Sequence, residues 1–137
     1  MKLILAIAVA TGIARPVDPM LTDLAQQRAM EISTNFEHIS LNLPYTWGEV
    51  IGWNRFAPDP VAYIVQGWMN SPEHAAILND PRYDHIGCGI NQVEDTYYFV
   101  CILADENAPK AHIPKAPTAP IKTPIPLVPN TAIDNPF

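Results

Sequence analysis

The chain has 137 residues, enough for one domain around a single hydrophobic core but not for two. Its formal net charge is −6, and residues 1–104 carry eleven Asp or Glu against five Lys or Arg. Such an acidic body argues against nonspecific nucleic-acid binding and against docking on anionic lipid, so neither partner is expected.

The first 17 residues allow two interpretations. Lys2 is followed by an apolar run over residues 3–10 and by small residues that include Ala10 and Ala14, which is typical of a short secretory signal peptide cleaved after one of them. The run is too short to be a transmembrane segment, which takes roughly 20 residues. The alternative is that residues 1–17 hold the first helix of a domain that continues over residues 18–104.

A helix is predicted to begin at Pro19. The Asp18 carboxylate can cap free amide groups, and proline suits the first helical position. Apolar residues then recur every three or four positions, at Leu21, Leu24, Ala25, Ala29, Ile32 and Phe36. This spacing predicts a helix over residues 19–37 that brings His38 to its C-terminal end.

The segment at residues 41–60 holds three prolines, two glycines and two tryptophans. This composition predicts a loop with one short strand at residues 49–53. The strand would present Glu49 toward the histidines.

Two further helices are predicted after this loop. The first begins near Asp59 and places Trp68 on its buried face. The second begins at Ser71 and Pro72, with the Ser71 hydroxyl as the N-cap, so that His74 lies in the first turn.

Two strands are predicted at residues 86–90 and 96–103, joined as a hairpin. With residues 94 and 95 as the turn, Cys88 lies directly opposite Cys101, near enough for a disulfide. A bridge would imply an oxidising compartment. The alternative is two buried free thiols.

Beyond the hairpin, proline dominates the composition. Eight of the fifteen prolines fall within residues 109–136, among residues with neither helical nor strand periodicity. We therefore predict a disordered, extended proline-rich tail over residues 105–137, with His112 solvated.

Four short motifs, taken in order, resemble one known family. They are the Phe-Glu-His that ends at His38, the Gly-Glu at Glu49, the helix tryptophan followed by Ser-Pro-x-His at His74, and the Gly-Cys at Cys88. Residues 12–104 are similar in this order to the CAP superfamily (cysteine-rich secretory protein, antigen 5 and pathogenesis-related 1), also called SCP-like domains, in its compact bacterial form. The resemblance implies an α+β fold, a three-layer α/β/α sandwich with a small antiparallel sheet. It also supports the disulfide.

Proteins of that family line one cleft with two histidines and a glutamate, and the resemblance assigns these roles to His38, Glu49 and His74. Such a set can bind a divalent metal ion, with Zn²⁺ the best candidate and Glu49 either a third ligand or a residue that orients a histidine. If the protein is an enzyme, the same three residues are its catalytic set. The alternative is a polar cluster that only ties the helices to the sheet.

Two positions depart from the wider family pattern. The second glutamate of the larger members is replaced by Ser71, as in the compact bacterial type, and Glu73 is not its counterpart. The amide that usually follows the Gly-Glu is replaced by Val50, whose side chain has no polar group to help shape the cleft.

The two cleft histidines are expected to differ in charge. His74, in the first turn of a helix, lies near the positive end of the helix dipole, which favours the neutral imidazole. His38, at a helix C-terminus, should accept a proton more readily.

The other histidine and the tryptophans are given simpler roles. His85 is predicted to be a surface or edge residue, and Trp68 is predicted to be core. Trp47 and Trp53 flank Glu49 and either pack in the core or line a groove.

The sequence therefore predicts an extracellular or surface-exposed binding module of the SCP type. Its ligand would be an unidentified small molecule, a lipid or a wall-related molecule, and its cleft would take a divalent cation. A metal-dependent hydrolase that uses the same residues is the alternative function.

Overall fold

The computed structural model describes residues 2–107, which fold into four helices and three strands. In chain order these are α1 (Lys2–Thr11), α2 (Pro19–Ile32), β1 (Thr46–Arg55), α3 (Pro60–Met69), α4 (Pro72–Leu78), β2 (His85–Val93) and β3 (Thr96–Asp105).

The three strands form one antiparallel sheet in the order β1-β3-β2. Side chains of the central strand alternate between two hydrophobic cores, one on each face. Those that pack with α1, α3 and α4 are Phe99, Cys101 and Leu103, and those that pack with α2 are Val100, Ile102 and Ala104. Because helices cover both faces, the predicted three-layer α/β/α sandwich is confirmed.

Helix α2 lies close to β2 because the strand has glycine at the contact. A Cβ atom at Gly87 would lie 2.3 Å from the backbone of Leu21, and one at Gly89 would lie 2.5 Å from the Cα of Gln26. The helix backbone therefore rests directly on the strand, with no side chain between them.

Strands β2 and β3 pair in the predicted register, with Cys88 opposite Cys101. Their Cα atoms are 4.1 Å apart and their sulfur atoms form a disulfide, so the predicted bridge is confirmed. In the chain-entropy model, a closed loop of this size contributes about 3 kcal/mol to stability.

The outer edge of β2 is covered by polar groups of neighbouring segments. The Gln26 side chain donates from Nε2 to the Ile90 carbonyl at 2.9 Å and accepts at Oε1 from the Ile90 amide at 3.1 Å. The Ile86 amide donates to the Pro16 carbonyl, and the Ile86 carbonyl accepts from the Asp18 amide. Backbone groups that a sheet edge would leave open are thus satisfied at both positions.

Helix α2 begins as predicted but ends early. The Asp18 carboxylate accepts hydrogen bonds from two amide groups of the first turn. The predicted extension to residue 37 is wrong, because the helix ends at Ile32 and the hydroxyls of Ser33 and Thr34 bond to carbonyls of its last turn. His38 therefore lies on the irregular segment that follows the helix.

The short strand predicted at residues 49–53 is wrong in extent, because β1 pairs with β3 over Thr46–Arg55. The two glycines that suggested a loop instead mark close helix packing. A Cβ at Gly48 would lie 3.0 Å from Ile77 of α4, and one at Gly52 would lie 2.7 Å from Ile64 of α3.

At the N-terminus, α1 buries Leu3 and Ile7 and packs on α3. This is the packing that the first-helix alternative requires, and cleavage as a signal peptide stays a prediction. At the other end, the tail was predicted to begin at residue 105. That boundary is wrong, because residues 105–107 complete β3 and form a turn. The rest of the tail, with His112, lies outside the described residues.

Candidate functional site

Strand β1 places Glu49 in the interior on the α2 side of the sheet, with 0% of its surface exposed. Arg28 of α2 meets it with two hydrogen bonds, from Nε to Oε2 at 2.7 Å and from Nη2 to Oε1 at 3.2 Å. A buried carboxylate needs such a partner, because an uncompensated charge in the interior costs several kcal/mol.

The same guanidinium also holds the chain that follows α2. Arg28 Nη2 donates to the Glu37 carbonyl at 2.7 Å, and Nη1 donates to the Glu31 carboxylate at 2.9 Å. The bond to Glu37 fixes the residue directly before His38.

His38 reaches Glu49 from this segment, with its Nδ1 atom 2.8 Å from Oε1. Since a carboxylate oxygen accepts hydrogen bonds, Nδ1 is the donor in this contact, and in the neutral imidazole Nε2 is then the atom with the lone pair. The Nε2 atom is buried and has no hydrogen-bond partner in the structure.

His74 lies in the first turn of α4 with 2% of its surface exposed. Its Nδ1 atom is hydrogen bonded to Ser71 Oγ at 2.7 Å, and its Nε2 atom is also buried without a partner. The predicted capping by the Ser71 hydroxyl is wrong: Ser71 is the N-cap residue, but its side chain bonds to the imidazole and makes no cap hydrogen bond.

Burial lowers the pKa of His74 to about 4, and repulsion from His38 acts in the same direction. His74 is therefore neutral at physiological pH, as expected. The cause differs from the expected one, since desolvation dominates and α4 has only seven residues.

The structure thus joins His38 to Glu49 directly and brings His74 within electrostatic range of His38. Within residues 2–107, no group of three or more His, Cys, Asp or Glu side chains is arranged to hold a metal ion. The arrangement offers two imidazole Nε2 atoms, while both Glu49 oxygens are already hydrogen bonded.

Arg28 was missed by sequence reasoning, although a signal for it exists. The buried side chains of α2 at Leu21, Ala25 and Ile32 are spaced so that Arg28 falls on the same stripe. An arginine in the middle of an apolar stripe requires a buried anion, and Glu49 is that anion.

The three tryptophans and His85 make none of the hydrogen bonds described above for His38, Glu49 and His74. Trp68 is core as predicted, and its Nε1 atom donates to the Ile51 carbonyl at 3.0 Å. Trp47 packs in the core on the α2 side, whereas Trp53 is half-buried. His85 is the first residue of the edge strand β2, half-buried as expected for an edge position.

A second polar cluster surrounds His85. Its Nδ1 atom lies 2.8 Å from Asp84 Oδ1 and 3.5 Å from Glu106 Oε1. Burial and a hydrogen bond to Asp18 raise the pKa of Glu106 to about 7, while the bond to Asp84 raises the pKa of His85. This cluster fixes the end of β3 against the start of β2 and α2.

The chain is similar to a known family over more than half of its length. The model of the cysteine-rich secretory protein family, CAP, matches residues 16–103. This chain belongs to the CAP family. The resemblance to the CAP family that the four motifs indicate is therefore confirmed.

Solved structures support the fold of this CAP domain. An outer surface protein from Borrelia burgdorferi is similar over 75% of this chain and 89% of its own, with 19% identity and a TM-score of 0.60. A cysteine-rich secretory protein from Staphylococcus aureus is similar over 76% of this chain but 38% of its own, with 18% identity and a TM-score of 0.52. A comparison with curated proteins gave no match.

Among the helices that the structure describes, none is both long enough and apolar enough to cross a bilayer.

Proposed function

We propose that this CAP domain is an extracellular or surface-exposed binding module whose cleft takes a divalent cation between His38 and His74. The observation that carries the proposal is the pair of buried Nε2 atoms without hydrogen-bond partners. A buried polar atom left unsatisfied costs about 1–3 kcal/mol, and in the tautomer with the proton on Nδ1 a cation bound at Nε2 would offset this cost.

The chemistry of the two side chains fits a cation. Neutral imidazole nitrogen is a common ligand of Zn²⁺, and each ring is already held through its Nδ1 atom, His38 by Glu49 and His74 by Ser71. In this proposal Glu49 orients His38 and does not coordinate the ion, because its oxygens are bonded to Arg28 and His38. A bound ion would act as a Lewis acid and leave coordination positions for an oxygen or nitrogen atom of a ligand.

The setting outside the cell is supported by two observations. The disulfide between Cys88 and Cys101 is typical of oxidising compartments. The two similar solved structures are described as an outer surface protein and a cysteine-rich secretory protein. The ligand would be a small molecule, a lipid or a wall-related molecule, as expected for a module of this type.

The hydrolase alternative, with His38, Glu49 and His74 as catalytic residues, gains no support from the geometry. A metal-dependent hydrolase would need a base in addition to the residues that hold the ion. In the proposed site both histidines hold the ion, and Glu49 is bonded to a guanidinium and an imidazole, so the binding module is the better proposal.

Titration of the purified protein with Zn²⁺ in a calorimeter tests the proposal. We expect one site per chain, which His74→Ala and His38→Ala each weaken at least tenfold, or by about 1.4 kcal/mol. The matched control is His85→Ala, which removes a histidine outside the cleft and should leave that site intact. Equal Zn²⁺ affinity in all four proteins would refute the cation site.

A further inference from the structure

The outward side of α1 forms one wall of an apolar groove. The groove lies between α1 and α3 and encloses about 620 Å³. Leu5 and Val9 of α1 are 64% and 76% exposed there, opposite Val61, Val65 and Met69 of α3. Helix α1 thus has apolar side chains on its buried side and on its outer side.

A helix that is apolar on all sides is normally covered by other structure. In α1 the only charged residue is Lys2, at its first position, and Leu3 and Ile7 already face the core. Leaving Leu5 and Val9 in water would forgo most of the stabilisation that burying an aliphatic side chain contributes. The groove is therefore a candidate docking surface for an apolar segment.

We infer that the occupant is the C-terminal segment of the same chain, residues 121–137. Six large apolar residues fall in this segment: Ile121, Ile125, Leu127, Val128, Ile133 and Phe137. The preceding residues 108–120 hold only Ile113, with four prolines and two lysines. Residues 108–120 therefore have the composition of a spacer, and residues 121–137 have the composition of a segment that could bind an apolar groove.

The spacer is long enough to reach the groove. Asp59, which lines the groove, is four residues after Arg55, and Arg55 pairs with Thr96 at the start of β3. The described chain ends past the opposite end of β3, roughly 33 Å away for a strand of ten residues. Thirteen residues in an extended polyproline II conformation cover about 40 Å.

Charge favours this occupant over a second copy of the domain. The spacer, residues 108–120, carries two Lys and no Asp or Glu, and residues 121–137 carry one Lys and one Asp, whereas residues 2–107 carry five Lys or Arg against thirteen Asp or Glu. The tail is therefore attracted to the acidic body, while two such bodies repel each other. The same acidic surface opposes contact with an anionic membrane.

Backbone chemistry also fits. Four of the seventeen residues in 121–137 are proline, which has no amide hydrogen, so the segment brings few donors that require partners in an apolar groove. Because the segment is tethered, its effective concentration at the groove is on the order of millimolar, and weak contacts suffice to hold it.

Hydrogen exchange in the full-length chain tests the contact. The tail variant Ile125→Asp with Leu127→Asp removes two apolar contacts, and Ile113→Asp is the matched control in the spacer. We expect amides of α1 and α3 to exchange about tenfold faster in the tail variant than in the wild type or the control. Equal exchange in all three proteins would overturn the inference.

A substitution in the groove makes the reciprocal test. Val9→Lys alters a side chain that is 76% exposed, so the core is left unchanged, and it should shift the NMR signals of residues 121–137. Unchanged tail signals count against the contact.

Three other results would point to a different occupant or none. Protection of α1 that grows over a roughly hundredfold range of protein concentration indicates a second copy, since a contact within one chain is independent of concentration. Protection that arises only with phosphatidylcholine vesicles indicates lipid. A mass that is lower by residues 1–14 shows that α1, one wall of the groove, has been cleaved from the protein. Each of these overturns the inference.

Discussion

Arg28 and Glu49 form an ion pair between two buried side chains, and His38 is the third member of that network. Only 2% of Arg28 and 0% of Glu49 is exposed, so neither charge is compensated by bulk water. The pair therefore has two effects: it joins α2 to β1, and it holds the imidazole of His38 in one orientation.

Replacing Arg28 by Met should destabilise the protein by about 3–5 kcal/mol, because Glu49 is left buried without its counter-charge. The same change should weaken Zn²⁺ binding, since His38 loses its support. Urea denaturation measures the first effect and calorimetry the second. Glu31→Gln is the control, because Glu31 bonds to the same guanidinium near the surface and its loss should cost less than about 1 kcal/mol. Similar losses for the two variants would contradict the role given to the buried pair.

His74 should make stability depend on pH. Its folded pKa of about 4 lies below the ordinary value of 6.5, so the unfolded chain binds the proton more tightly. The contribution of neutral His74 is complete above pH 6.5 and is lost as the pH falls toward 4. Between pH 7.5 and 4.5, the wild type should lose about 2–3 kcal/mol more unfolding free energy than His74→Gln. Parallel pH profiles from urea denaturation would show that His74 is not desolvated.

Part of the site was predictable because each of His38, Glu49 and His74 lies in its own short motif. The roles of Arg28 and Ser71 were not predicted for a physical reason. The Arg28 pair joins residues 21 positions apart on a helix and a strand, so it depends on how α2 packs across the sheet. The Ser71 hydroxyl could form a hydrogen bond either with a helix amide or with the imidazole of His74. The local sequence does not show which of these two partners it prefers.

At the scale of elements, the contact between α2 and β2 depends on the absence of side chains. Gly89→Ala should destabilise the protein by about 1–3 kcal/mol or more, because its Cβ would overlap the backbone of α2 at 2.5 Å. Gly12→Ala is a useful comparison: its Cβ meets nothing within 4 Å, and only its φ of +75° opposes the change, at a cost of roughly 1 kcal/mol. Thermal unfolding measures both, and a smaller loss at Gly89 than at Gly12 would contradict the close packing.

The same elements explain which boundaries the sequence could predict. The Asp18 cap and the register of the hairpin depend on neighbouring residues, and both were predicted correctly. The extent of β1 was not, because Gly48 and Gly52 are loop signals when only the sequence is known. In the fold they are contact points for α3 and α4, which are formed by residues later in the chain.

At the scale of the whole molecule, α1 shares a core with α3, α4 and the sheet. Ile7→Ala should therefore cost about 2–5 kcal/mol, as expected for a fully buried isoleucine. Met30→Ala, at a side chain of α2 that is 57% exposed and lies outside the groove, should change stability by less than about 0.5 kcal/mol. Denaturant unfolding of the two variants separates these outcomes. An Ile7→Ala protein as stable as the wild type would mean that α1 is not part of the folded domain in solution.

The covered edge of β2 limits how this molecule can associate with others. A foreign strand that approached there would have to displace the Gln26 amide from Ile90 and the Pro16–Asp18 segment from Ile86. Strand addition at Ile86 and Ile90 is thereby opposed, which makes this stretch of the sheet a poor template for edge-to-edge aggregation.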